Sequence, residues 1–323
     1  MRWSRELKIA SRSMRTAVRA ASAMAKAQAG LPGLRPGIGP QRDPGRDADP
    51  ELIAGFGSNP GRLSMFVHVP AVAPTRGAPL IVLLHGCGQS AVGFARDNGW
   101  TALADRLGIP LVLPEQSGDN NHGRCFNWFR PTHVGRELGE ALSIRQMVAA
   151  AIDRFGSDPA RVYLAGLSAG GAMTAALLAA YPDVFAAGAV VAGLPVGAAS
   201  GTTEALRRMA EAGPDRSPDE WAAQVRHAAP VGYAGPWPRL SIWHGSADRV
   251  VDPANARLLA GQWATVHGLD GSGEAAEPDP GRREIWGRPD RPAVELWTLP
   301  GLGHVWPAEA ANRIAGFWGL QRG

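Results

Sequence analysis

The 323-residue sequence holds only two cysteines, Cys87 and Cys125, too few for a disulfide-built scaffold or a four-cysteine zinc site. A chain of this length needs neither, because it buries roughly 75% of the surface it exposes when unfolded. No run reaches the ~18 consecutive apolar residues of a membrane span. Lysine is nearly missing: of 33 basic residues 31 are Arg, and only Lys8 and Lys26 break the pattern. A GC-rich genome accounts for that bias at least as well as function does. No internal repeat or tandem domain is visible. With 45% hydrophobic and 19% charged residues, whole-chain disorder and coiled coil are excluded.

The net charge of +4 invites a nucleic-acid reading until it is partitioned. Residues 1–50 hold ten Lys+Arg and four Asp+Glu, a net of +6, and the other 273 residues carry −2. The basic excess is therefore confined to the first 50 residues, and no nucleic-acid partner is expected. Within them, residues 1–27 read as a helix. Trp3, Leu7, Met14, Val18 and Ala21 fall at helical spacings, and Arg5, Arg12, Arg19 and Lys26 form a second stripe. Gly30, Pro32, Gly33 and Pro36 then begin a linker. Two readings of this helix stand: a peripheral anchor on an anionic surface or partner, or a solvated helix lying loosely on the domain. Basic residues recur through Arg19, so no signal-peptide apolar run is left, and a cytoplasmic location is favoured. The expected division is a basic helical extension and linker over 1–50 and one catalytic domain over 51–323.

From residue 62 apolar runs alternate with amphipathic stretches. Strands are expected at Met65–Val69, Pro79–Leu84, Ile109–Leu113, Arg161–Ala165, Ala187–Ala192, Leu240–Trp243 and Val294–Leu299. Helices are expected at 91–107, from a Ser143-x-x-Gln146 capping box to Gly156, and at 169–180, 202–212, 217–227, 253–266 and 308–318. This order implies an α/β fold with a mainly parallel central sheet and helices on both faces. Residues 268–292 are polar and rich in Gly and Pro, and read as a surface excursion.

Gly166-Leu167-Ser168-Ala169-Gly170 lies between an expected strand and an expected helix. Glycine on both flanks permits a sharp turn that lifts a serine hydroxyl above the sheet edge. Serine is a poor nucleophile at neutral pH and needs a base, which in turn needs an orienting acid. Asp248 follows the strand Leu240–Trp243 and is the preferred acid. Asp252, just before Pro253, reads instead as a carboxylate at a helix N-terminus. His304, on the Gly-flanked loop after the last strand, is the preferred base. His244 precedes the acid and reads as a packing residue or a backbone hydrogen-bonder, and His85 as a residue shaping its turn. The amides of Cys87 and Ala169 are the expected oxyanion donors.

LHGCGQ at 84–89, CFNWF at 125–129, GLSAGGAM at 166–173, HGSADRVVDPANA at 244–256 and GLGHVW at 301–306 together resemble the polyhydroxybutyrate-depolymerase-like esterases. This branch of the α/β-hydrolases also includes feruloyl and acetylxylan esterases. The resemblance covers roughly residues 62–318. It implies a serine carboxylic-ester hydrolase with Ser168 as nucleophile, Asp248 as acid, His304 as base and Cys87 at the oxyanion hole, without a metal or organic cofactor. It also implies that Cys87 and Cys125 approach each other, either as a disulfide or as two buried thiols. Asn127, Trp128 and Phe129 of the long 115–140 loop, with Trp306, are expected to line the substrate site. The substrate is then a small, oligomeric or polymeric ester: a hydroxyalkanoate or other short-acyl ester, or a feruloylated or acetylated carbohydrate. Secreted members of the family keep an extracellular location open. A non-catalytic binding protein on the same scaffold is the remaining alternative.

Overall fold

The computed structural model describes residues 50–269, 271, 273–276 and 281–320. The expected helix over 1–27 and its linker lie outside the described residues. The described chain opens with β1 (Glu51–Ile53), β2 (Ser64–His68), β3 (Leu80–Leu84), α1 (Ala91–Asp97), α2 (Trp100–Leu107) and β4 (Leu111–Glu115). A short α3 (Pro131–Val134) and a long α4 (Gly139–Phe155) lead to β5 (Val162–Leu167), α5 (Ala169–Ala180) and β6 (Ala187–Val191). Next come α6 (Thr202–Ala210), α7 (Pro218–Ala228), β7 (Arg239–Gly245), α8 (Ala254–Val266), β8 (Glu274–Ala276), β9 (Arg282–Arg288), β10 (Arg291–Leu299) and α9 (Ala310–Trp318).

The strands form one sheet in the order β1-β2-β4-β3-β5-β6-β7-β10-β9-β8. From β4 to β10 every neighbouring pair is parallel. Both edges are antiparallel, through β1 and β2 on one side and β9 and β8 on the other. Side chains on a strand alternate between faces, and here both faces are covered. Leu80, Val82 and Leu84 of β3 enter one core, and Ile81 and Leu83 enter the other. The first core lies under α4, α5, α7 and α8, and the second under α1, α2 and α9. A strand buried on both faces has no polar side to display, which is why PLIVLL shows no alternation. Every residue of α5 is buried, which explains its unbroken run of small and apolar residues.

Several expectations need correction. The helix expected over 91–107 is two helices, because Gly99 adopts a left-handed φ of 79° between α1 and α2. Ser143 caps nothing. It sits inside α4, where its hydroxyl accepts from the Gly61 amide at 2.8 Å and donates to the Gly139 carbonyl at 3.2 Å. The capping box lies instead at Ser217 and Glu220, at the start of α7. Residues 268–292 are not a plain surface excursion, since β8 and β9 lie within them and extend the sheet antiparallel to β10. Glu284, Ile285 and Trp286 are the buried centre of β9, but the flanking arginines and glycines hide that centre in the sequence.

Candidate active site

The loops after β5, β7 and β10 converge at the carboxyl edge of the parallel strands, where open α/β sheets hold their sites. Ser168 follows β5 directly, with φ 57° and ψ −118°. A non-glycine residue at such a φ carries strain of order 1–3 kcal/mol, which the surroundings must hold. They do so by close packing. A Cβ on Gly166 would strike the Gly170 carbonyl, and one on Gly170 would strike the Leu84 carbonyl. The Ser168 amide donates to the Val191 carbonyl at 2.9 Å. The elbow is thus pressed between β3 and β6, and α5 departs from it.

The Ser168 hydroxyl donates to His304 Nε2 at 2.8 Å, and His304 Nδ1–H donates to Asp248 Oδ2 at 2.7 Å. Ser168 is 7% exposed. Register explains how residues so distant in sequence meet. In the parallel pair of β7 and β10, His244 lies opposite Thr298 and Gly245 opposite Leu299. Beyond these ends the two loops bind each other. Ser246 N donates to Leu299 O and Ala247 N to Leu302 O, each at 2.9 Å, and Gly301 N donates to Ser246 Oγ at 3.0 Å.

Asp248 is held on both oxygens. The Val250 and Val251 amides donate to Oδ1 at 2.8 and 3.0 Å, while Oδ2 faces His304 and stands 3.1 Å from His244 Nε2. Burial alone would raise the Asp248 carboxyl. The hydrogen bonds from His244 and His304 outweigh it and hold the group well below the usual carboxylate range. Asp252 faces away from this cluster and accepts from the Ala254 amide at 2.9 Å at the start of α8.

Leu84, the last residue of β3, lies opposite Gly166 of β5, so the His85-Gly86-Cys87 turn and the Ser168 elbow leave the sheet side by side. The amides of Cys87 and Ala169 have no acceptor among the described residues. His85 is buried in the turn. Its Nδ1–H donates to Gly86 O at 2.8 Å and its Nε2 accepts from Gln116 N at 3.1 Å. Burial pushes the imidazole down to about 4, against a smaller opposing effect of the Gly86 carbonyl, so it is neutral near pH 7. Cys87 is joined to Cys125 by a disulfide.

The residues expected to line the substrate site are placed unevenly. Asn127 is a correction: it is wholly buried, with its amide donating to Glu140 Oε2 at 2.8 Å and its side chain to Glu140 Oε1. Gln116 Nε2 donates to the same buried carboxylate at 2.8 Å and to Cys125 O at 3.1 Å. Asn127 therefore holds the loop together from inside. Trp128 and Phe129 pack edge to face, 5.6 Å apart, and each stays 8% exposed. Trp306 is equally covered, but by Phe94 and Trp100 in the second core, so its ring serves the packing of α1 and α2. Glu140 is the polar residue of the region that the sequence did not single out, and nothing in its spacing points to Asn127. His244, read as a packing residue or a backbone hydrogen-bonder, is buried with Nε2 3.0 Å from the Val251 carbonyl; its approach to Asp248 is the contact the sequence did not show. Among the described residues no cluster of three or more His, Cys, Asp or Glu forms a metal site.

The chain matches the family described as Esterase PHB depolymerase over residues 63–285. It is 42% identical over 259 residues to the poly(3-hydroxyalkanoate) depolymerase C of Paucimonas lemoignei, covering 80% of this chain and 62% of that protein, less than two thirds of its length. It is 36% identical to a feruloyl esterase B of Talaromyces stipitatus, over 80% of this chain and 73% of the relative. The structure of an acetyl xylan esterase from Aspergillus awamori superposes with a TM-score of 0.76 at 25% identity, covering 85% of this chain and 100% of the other. On this sheet, with these matches, the chain belongs to the PHB depolymerase family of esterases and is a carboxylic-ester hydrolase of the α/β-hydrolase fold.

Proposed function

We propose that the protein hydrolyses its ester through a Ser168–His304–Asp248 triad and an acyl-enzyme. The observation that carries this reading is the position of His304, whose two ring nitrogens stand 2.8 Å from the Ser168 hydroxyl and 2.7 Å from Asp248. His304 takes the Ser168 proton as the oxygen attacks the ester carbonyl. The carbonyl oxygen gains the negative charge and is stabilised by the amides of Cys87 and Ala169, each such donor contributing on the order of 10²–10³ in rate. The tetrahedral intermediate collapses, the carbonyl–alkoxy bond breaks, and His304 returns the proton to the departing alcohol. Water then gives a proton to His304 and attacks the acyl-Ser168, releasing the acid and the free serine. Asp248 stays ionised throughout and stabilises the imidazolium.

The substrate class is a hydroxyalkanoate or other short-acyl ester. The 42% identity to a poly(3-hydroxyalkanoate) depolymerase supports it. The second reading, a carbohydrate esterase that removes feruloyl or acetyl groups, is favoured by the Talaromyces relative and by the Aspergillus structure. The test is a hydrolysis panel of acyl esters of increasing length, hydroxybutyrate oligomers, and feruloylated and acetylated sugars, run with wild type and Ser168→Ala. Turnover should be highest on the hydroxybutyrate and short-acyl esters and absent in the variant. A strong preference for feruloylated sugar would reverse the order of the two substrates, and wild-type turnover by Ser168→Ala would remove the nucleophile.

A further inference from the structure

We propose that His244 is a positioning residue for Asp248, fixing the carboxylate in the orientation that His304 reads. The inference rests on the reading of Asp248 as the acid of the triad. His244 is the penultimate residue of β7 and is buried. Its Nε2 lies 3.0 Å from the Val251 carbonyl and 3.1 Å from Asp248 Oδ2. Both neighbours are acceptors, so the ring carries its proton on Nε2 and shares it between them. Nδ1 of the same ring is buried with no partner among the described residues. A residue present only to fill space gains nothing from an orphaned ring nitrogen, which a phenyl ring of similar size would avoid. The placement is accounted for by what Nε2 touches.

Those contacts close a ring. His244 Nε2–H faces the Val251 carbonyl, the Val251 amide donates to Asp248 Oδ1, and Asp248 Oδ2 returns to His244 Nε2. The carboxylate is thereby held at both oxygens, and rotation about its Cβ–Cγ bond would break contacts at each end. Without the imidazole, Oδ1 keeps its two amides, but Oδ2 is held only by His304, the group it has to orient. The titratable groups facing Asp248 are His244 from β7 and His304 from the loop after β10; Arg249, next in the chain, is exposed.

The test uses the full chain with p-nitrophenyl butyrate as the soluble ester. His244→Phe removes the donor and keeps the ring volume. His244→Gln places an amide N–H at the reach of Nε2, whereas His244→Asn stops short of it. His244→Phe is expected to lower kcat by about 10- to 100-fold with KM changed by less than about 2-fold, and His244→Gln to recover to within about 5-fold of wild type. In an Asp248→Asn background, His244→Phe should cost less than about 2-fold, because the group it acts through is already lost. Should His244→Phe not fold, the Asn and Gln variants carry the comparison, with Asn expected to be defective and Gln near wild type. A wild-type kcat in His244→Phe, equal activity of the Asn and Gln variants, or an undiminished loss in the Asp248→Asn background would overturn the proposal. If Asp248→Asn itself were fully active, the triad reading would fall first, and that outcome is distinct from all of these.

Discussion

Cys87 is bonded to Cys125, so the turn that closes β3 and the aromatic loop that follows β4 form one covalent unit beside the Ser168 elbow. The bond spans 38 residues. In the chain-entropy treatment, closing a loop of that length stabilises the fold by about 4 kcal/mol. Replacing both cysteines by serine is expected to cost about 2–4 kcal/mol in denaturant unfolding and also to lower kcat, because the Cys87 amide sits in the tethered turn. Intact mass of the native protein should fall short of the reduced protein by two hydrogens. Equal masses would show two thiols.

Asp248 and Asp252 are close in sequence but engage different partners, one bonded to His304 and the other to the Ala254 amide at the start of α8. Asp248→Asn is expected to lower kcat about 10³- to 10⁴-fold, since a triad deprived of its acid loses the correct imidazole tautomer. Asp252→Asn should cost less than about 10-fold and show mainly as reduced helix stability. Steady-state kinetics and thermal melts on both variants check the ranking.

His85 titrates at about 4 in the folded protein and near 6.5 when unfolded. Its folded value is depressed, so between those limits the unfolded chain binds a proton that the folded chain refuses. The stability this neutral imidazole contributes is fully present above about pH 6.5 and is lost progressively as pH falls toward 4, by roughly 3 kcal/mol at the lower end. Unfolding free energies measured from pH 8 to 4 should show that decline in wild type and lose it in His85→Gln, whose side chain does not titrate.

Glu140 is wholly buried and accepts from the Asn127 amide, the Asn127 side chain and Gln116. Glu140→Gln turns one acceptor oxygen into a donor facing other donors. A loss of about 2–4 kcal/mol is expected, together with increased proteolysis within residues 116–129. Unchanged stability would mean that the loop is held by the disulfide alone.

What could be read in advance followed from local chemistry. The β3 run, the glycines of the elbow and the order of Ser168, Asp248 and His304 each obey a rule carried by neighbouring residues, and the structure brings those side chains within hydrogen-bond reach. The failures share a different cause. Asn127 looked like a cleft residue because its partner, Glu140, lies on another element, and no spacing links the two. Trp306 sits close to His304 in sequence, but its ring turns into the core formed by α1 and α2. β9 was hidden by the exposed arginines at its two ends, Arg282 and Arg288, and the approach of His244 to Asp248 exists only once the loop after β7 has turned back.

The proposed chemistry depends first on Ser168 as the nucleophile. Intact-mass and peptide analysis after treatment with a fluorophosphonate probe tests it most directly. One adduct per chain is expected, located on Ser168, with loss of ester turnover in proportion to labelling and no adduct on a folded Ser168→Ala variant. Labelling of Ser168→Ala to the wild-type extent, or full turnover by wild type carrying the adduct, would contradict it.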